Sequence, residues 1–380
     1  MLTSKSSPSK KKGRRRSKRS PARSAAFAAV DLGTNNCRLL IAEPQGKRFR
    51  VVDSYSQIVR LGEGMSVSGE LSDAAIERTM SALKEIRKRI KQHSVKKVRC
   101  VATQACRAAS NGREFVERVQ RETGLTLKVI SPREEAQLAV IGALDLIDAS
   151  KDVSLVVDIG GGSTELCWVD TKAAGEAGLS GSLEKLPMLA WASFPVGVVT
   201  LSEKFPERNE PDWYPAMLAH VREEMMAFKR GRTLAKVFEK DRGHLIGTSG
   251  TVTSLCAVHL NLDRYIRSIV DGSTLTHTDA MAARARLSGL TRQERAQIPC
   301  IGDGRSDLVL AGCAIMEAVW ELWPSQDMRV ADRGLREGML LSLIYGKPTT
   351  KRRRGGKKRK KPNGGDGDAG RKTKEGGSDE

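Results

Sequence analysis

Between residues 25 and 345 the apolar positions switch repeatedly between a period of two and a helical period, and the order of switching predicts the architecture. The short apolar or alternating runs 27–31, 37–43 and 50–55 predict three consecutive strands, the first two joined by the loop 32–36. Over 72–93 the spacing becomes helical through Ile76, Met80, Leu83, Ile86 and Ile90, with Ser72 as N-cap. Strand 97–103, helix 113–123, strand 127–130 and helix 132–148 follow. The pattern then restarts with strand 155–158, loop 159–163 and strand 164–170. Residues 171–186 are rich in Gly, Ala and Ser and read as a surface loop. Further on, the spacing predicts helices near 211–230, 250–260, 305–322 and 334–344 and a strand at 244–247. Such alternation favours a mixed sheet with helices on its faces.

The restart is an internal repeat. Asp31-Leu-Gly-Thr-Asn-Asn-Cys-Arg-Leu-Leu aligns without a gap on Asp158-Ile-Gly-Gly-Gly-Ser-Thr-Glu-Leu-Cys, 127 residues later. Each copy is an apolar strand ending in Asp, a Gly two residues on, small polar residues and a second strand. A tight hairpin without bulky side chains exposes backbone N–H groups to an anion, and the Asp can hold a hydrated divalent cation against it. One such hairpin is more often an ordinary turn. Two copies, each heading an α/β unit, imply two similar domains with a ligand in the cleft between them. This predicts one domain over 25–137, a second over 138–333, and a C-terminal helix, 334–345, returning to the first.

A third glycine cluster, Gly247-Thr248-Ser249-Gly250, joins a strand to a helix whose first amides favour a phosphate oxygen. It is not G-x-S-x-G, because Thr251 fills the last position, and no G-x-x-x-x-G-K-[ST] occurs. The helix starting at Pro132 has Ser131 as N-cap and Glu134 in the reciprocal place of a capping box. Glu135 is left without a capping task and becomes the candidate general base for water. Arg107, after a strand end, is a candidate clamp on a phosphoryl oxygen.

Composition changes the picture only where charge is counted by segment. The formal charge of +20 suggests a nucleic-acid partner, but residues 1–24 hold ten basic residues and no acid, and 346–380 hold thirteen against five. The intervening chain has 42 against 40 and is nearly neutral. Both ends lack apolar periodicity, which predicts disordered tails able to attract polyanions without base specificity. Seven scattered cysteines with no C-x-x-C pair suggest buried small hydrophobes rather than disulfides or zinc. No run approaches the ~18 apolar residues of a membrane span, and a cytoplasmic protein is expected.

Taken together, these stretches resemble the exopolyphosphatase/guanosine pentaphosphate phosphatase (Ppx/GppA) family over about 26–345. The resemblance rests on Asp31 to Leu39, where Thr34 and Asn36 depart from the usual D-x-G-S-N-S. It rests also on Thr103 to Arg107, Glu134-Glu135-Ala136 and, most specifically, Asp158 to Glu165. Pro195-Val-Gly197-Val, Gly247 to Thr251, Arg305-Ser-Asp307 with Ala311-Gly312, and Asp332 through Arg336-Glu-Gly338 also fit.

The resemblance implies an actin-like (ribonuclease H-like) fold of two domains, Mg²⁺ dependence and stepwise release of orthophosphate from polyphosphate or guanosine pentaphosphate. It implies Glu135 and Glu165 as catalytic carboxylates, and Asp31, Asp158 and Glu165 at the metal. Phosphate would rest on Gly33, Thr34, Asn35, Asn36, Arg38, Arg107, Gly160, Gly161, Gly162, Ser163 and the loop Gly247–Gly250. A homodimer is also implied. An actin-like ATP-dependent kinase and a non-catalytic polyanion binder acting through the tails are the competing readings.

Overall fold

The structure, a computed structural model, describes residues 25–177, 186–208 and 210–346. Most of both basic end segments, and part of the stretch 171–186, lie outside the described residues.

Strands β1 (Phe27–Leu32), β2 (Asn36–Gln45), β3 (Arg48–Ile58), β4 (Lys97–Ala102) and β5 (Leu127–Val129) form one sheet in the order β3-β2-β1-β4-β5. The second sheet contains β6 (Val153–Ile159), β7 (Thr164–Asp170), β8 (Met188–Phe194), β9 (Gly243–Thr248), β10 (Thr274–Thr276) and β11 (Asp327–Ala331). Its order is β10-β11-β9-β6-β7-β8. Read from β8 and without the edge strand β10, it repeats the first sheet step for step. Two antiparallel hairpin pairings are followed by parallel pairings of β1 with β4 and of β6 with β9. The glycine repeat is therefore the visible part of a duplicated topology.

The central strands are apolar on both faces because both faces are covered. In the first sheet, Ala28, Val30 and Leu32 meet Met80, Leu83, Ile86, Phe115 and Val119 of the helices Asp73–Gln92 and Gly112–Thr123. Phe27, Ala29 and Val101 on the other face meet Leu138, Leu335, Met339 and Leu340. Helix Pro132–Ala143 turns a different side, Ala136, Val140 and Ala143, onto Val156, Cys167 and Ile246 of the second sheet. This helix and Leu335–Tyr345 cross between the sheets at backbone contact. A side chain at Gly338 would collide with the carbonyl of Leu138, and one at Gly142 with that of Gly334. That close approach gives the glycine of Arg336-Glu-Gly338 a structural reason.

Several expected elements are corrected. Residues Thr171–Ala177 form a helix rather than loop, because Asp170 accepts a hydrogen bond from the Ala173 amide and Ala174 is buried. The helix expected over 132–148 stops at Ala143 and tightens into a 3₁₀ turn, Leu144–Leu146. The helix expected over 305–322 is two, Asp303–Ser306 and Val309–Leu322, and that near 211–230 is Trp213–Met226. Strands β8, β10 and β11 and the helices Val198–Lys204, Lys229–Glu239 and His277–Ser288 were not anticipated. All seven cysteines are free and buried, as expected of small hydrophobes. No helix among the described residues is long and apolar enough to cross a membrane.

Candidate active site

The two glycine hairpins are held in the same way. In the first, the Gly33 amide donates to the Asn36 carbonyl at 2.9 Å; in the second, Gly160 donates to Ser163 at 2.9 Å. The chain leaving β3 then donates backbone amides back to the loop: Val59 and Arg60 to the Asn35 carbonyl, Gly62 to that of Thr34. The chain leaving β8 does likewise, Val198 to Gly160 and Val199 to Gly161. Loop carbonyls are thus consumed from behind. Among the described residues, the amides of Thr34, Asn35, Gly161 and Gly162 donate to no carbonyl and remain available to an anion. The Pro195-Val-Gly197-Val stretch owes its glycine to this clamp, since a side chain at Gly197 would strike Gly161.

The hairpins also touch one another. A Cβ on Gly161 would lie 3.1 Å from the Asn35 nitrogen, and one on Gly162 would strike Gln104. Thr34 Oγ1 donates to Gln104 Oε1 at 3.1 Å, so Gln104 bridges the loops. Among the described residues, buried oxygens at the loops, Asn35 Oδ1 and Ser249 Oγ among them, have no partner, an arrangement that costs stability unless a ligand supplies one.

Four carboxylates converge here. Asp31 and Asp158 each stand one residue before the end of their strands, β1 and β6. Across each hairpin, register places Arg38 opposite Asp31 and Glu165 opposite Asp158. Glu165 is buried, and its Oε1 accepts hydrogen bonds from Ser163 and Ser193, both at 2.7 Å. Glu135, also buried, comes in from the first turn of its helix. Arg107 Nη1 donates to the Ile130 carbonyl at 2.8 Å and to Glu135 Oε2 at 3.3 Å.

Burial dominates the electrostatics. It pushes Asp31 up to about 6, with Asp158 and Glu337 adding to the rise and Arg38 and Arg336 opposing it. Burial likewise raises Asp158, against the Thr248 hydroxyl and Arg38. Glu135 and Glu165 are both raised by burial and by neighbouring carboxylates, with Arg107 opposing. Such a site is short of positive charge and gains from a cation or a protonated partner.

Around Arg38 the charge reverses. Burial beside Arg336 and Arg305 weakens the proton affinity of Arg38, which Asp31 partly restores. Arg305 Nη1 donates to Ser254 Oγ at 3.0 Å, on the helix Gly250–His259, and its guanidinium faces Gly250. The third glycine cluster therefore meets an arginine at the start of its helix. Asp307, two residues on, is not aimed at this site; it pairs with Arg60 at 2.9 Å.

The structure brings the two glycine hairpins into contact, sets Asp31, Glu135, Asp158 and Glu165 near one another, and places the third glycine cluster beside Asp158 through Thr248. One expectation fails in detail: Ser131 caps the Glu134 amide at 3.2 Å, but Glu134 does not reciprocate. Its carboxylate pairs with Arg99 and Lys128 at 2.8 Å, the cations that neighbouring strands β4 and β5 place beside it. Ser193, Gln104 and the Arg305–Arg336 side were missed as site residues, the last although both arginines stood in recognised motifs.

Duplicated sheets meeting over paired anion loops and buried carboxylates define an actin-like phosphoryl-handling enzyme. The chain belongs to the Ppx/GppA phosphatase family, which matches residues 40–346. It is 29% identical over 333 residues to exopolyphosphatase 2 of Mycobacterium tuberculosis, covering 83% of this chain and 98% of that protein. Its fold matches the PPX-GPPA enzyme of Aquifex aeolicus at TM-score 0.67 and 29% identity, covering 84% of this chain and 99% of the other. An exopolyphosphatase from Cytophaga hutchinsonii matches at TM-score 0.74 and 25% identity, over 84% and 98%. The protein is accordingly a hydrolase of the phosphatase type.

Proposed function

We propose that the protein is an exopolyphosphatase that removes terminal orthophosphate from inorganic polyphosphate, and that guanosine pentaphosphate, which ends in the same phosphoanhydride, is a second substrate. The observation that carries this reading is Glu135: a buried carboxylate that accepts a hydrogen bond from Arg107 and feels the neighbouring carboxylates Glu165, Asp158 and Asp31.

The terminal phosphoryl group rests on the amides of Thr34, Asn35, Gly161 and Gly162, with Arg107 against an equatorial oxygen. Glu135 takes a proton from a water molecule as the water oxygen bonds to the terminal phosphorus and the bridging P–O bond breaks. The electron pair of that bond leaves on the shortened chain, whose remaining negative charge lies toward Arg38, Arg305 and Arg336. A kinase would need an alcohol acceptor positioned where Glu135 instead stands beside the loops.

The donor set fits a hard divalent cation, taken here as Mg²⁺. Asp158 and Glu165 offer carboxylate oxygens, and the two serines occupy only one oxygen of Glu165. Among the described residues no three His, Cys, Asp or Glu side chains close around one ion. Mg²⁺ takes one or two carboxylates and completes its shell with water and phosphate oxygens, so Asp158 and Glu165 are enough to hold it. Bound there, the ion supplies charge neutralisation for the phosphates, with Asp31 facing the same space.

The test is orthophosphate release from polyphosphate and from guanosine pentaphosphate by the parent and by Glu135→Gln. The variant should keep fold and binding and lose roughly 10²–10⁴ in turnover. Because the base works ionised and its proton affinity is raised, kcat/KM should fall on the acid side along a limb above the ordinary glutamate value of 4.5. Full activity in Glu135→Gln rejects the assignment.

A further inference from the structure

On the helices Asp73–Gln92 and Gly112–Thr123 several surface cations are matched by acids. Arg78 pairs with Glu63, Lys84 with Glu122, Arg113 with Glu117 and Arg118 with Glu77. Helix Lys229–Glu239 is different. Lys229, Arg230, Arg232, Lys236 and, at its C-terminal end, Lys240 are all exposed, and none takes part in an ion pair among the described residues. The helix contains one acid, Glu239, also exposed.

The placement is regular. Steps of three, four and four residues put Lys229, Arg232, Lys236 and Lys240 on one face, along about 16 Å of helix. The opposite face, Gly231, Leu234, Ala235 and Phe238, packs on the second core, where Trp323 Nε1 donates to the Gly231 carbonyl at 3.0 Å. The helix is thus fixed to the body by its apolar side and presents a straight cationic edge. Three of the cations crowd the first turn with no acid among them, where the helix dipole is itself positive. Among the described residues no ion pair offsets that repulsion.

We infer that this edge is a docking track for the distal part of a long polyphosphate chain whose end occupies the catalytic cleft. The inference rests on the exopolyphosphatase reading of that cleft. Its occupant must be a linear polyanion, since four like charges in file fit a repeating line of negative charge and release counterions on binding it. The exposed face carries no aromatic side chain on which bases could stack, which disfavours single-stranded nucleic acid. Nor does it carry an exposed large apolar side chain for insertion into a lipid surface. A chain held at two places on one molecule rebinds at high effective concentration after each cleavage, whereas a short chain gains nothing. The track therefore selects for length.

The test uses the full chain with both basic ends in place and the substitutions Lys229→Gln, Arg232→Gln, Lys236→Gln and Lys240→Gln together. Hydrolysis of tripolyphosphate should be unchanged in kcat and KM, which also shows the fold intact. The KM for long-chain polyphosphate should rise about tenfold or more, and its logarithmic salt dependence should flatten by about 0.7 per lost contact. An unchanged long-chain KM and salt slope overturns the inference. So does loss of duplex DNA binding with long-chain KM unaltered, which would assign the edge to nucleic acid. If the parent hydrolyses neither substrate, the reading of the cleft has failed. The track is then judged by direct binding of long-chain polyphosphate, which the fourfold variant should weaken.

Discussion

The hairpins at Asp31 and Asp158 share a backbone and differ in one decisive side chain. Both begin with an aspartate near a strand end, both close through the same amide-to-carbonyl bond, and both are clamped from behind by the chain leaving the third strand of their sheet. At the position opposite the aspartate, however, one carries Arg38 and the other Glu165. The first hairpin faces Arg305 and Arg336, and the second faces Glu135 and Arg107. On the proposed function, this exchange of charge divides the labour of two similar hairpins: the arginine copy holds what is already negative, and the glutamate copy assembles the carboxylates that a cation and an attacking water require.

The largest test of this division is to neutralise the acid copy. Glu165→Gln should lower kcat by about 10²–10³ while leaving the affinity for polyphosphate within a few fold, because the amide keeps the shape but not the charge. The matching change in the other copy, Arg38→Gln, should do the reverse. Losing one charge-assisted contact to phosphate should raise KM by about ten- to a hundredfold, with a much smaller fall in kcat. Steady-state kinetics on both variants decides the matter. Equal losses of kcat would mean that the hairpins have not diverged in function, and the comparison would collapse.

Much of this arrangement was legible in the chain itself, and the reason is local. A glycine hairpin between two apolar strands writes its identity into about ten consecutive residues, so Asp31, Asp158, Glu165 and their loops could be read together. The third cluster, Gly247–Gly250, was readable for the same cause. What escaped depends on distant register. Ser193 reaches Glu165 only because β8 pairs with β7 and aligns Ser193 with Glu165, and β8 follows a segment without a clear period. Gln104 bridges the loops only because both sheets bring them into contact. Glu134 was misjudged because the cations that claim it, Arg99 and Lys128, stand on strands 35 and 6 residues away in sequence.

Ser193 offers the smallest effect and the finest distinction. The first hairpin needs no counterpart to it, since an arginine opposite Asp31 has no carboxylate to aim. In the second hairpin, Ser163 and Ser193 both donate to Glu165 Oε1, so one hydroxyl comes from the loop and the other from the neighbouring strand. Ser193→Ala removes the strand's share while leaving the loop and its amides in place. Glu165 should then hold its second oxygen less firmly, and the Mg²⁺ concentration for half-maximal rate should rise about tenfold. The KM for polyphosphate should stay near that of the parent, and Ser193→Thr, which keeps a hydroxyl, should recover most of the loss. A Mn²⁺ titration followed by electron paramagnetic resonance reads the same change without turnover. If Ser193→Ala instead raises the substrate KM and leaves cation affinity alone, the strand supports the cradle rather than the carboxylate, and the two hairpins are more alike than their side chains suggest.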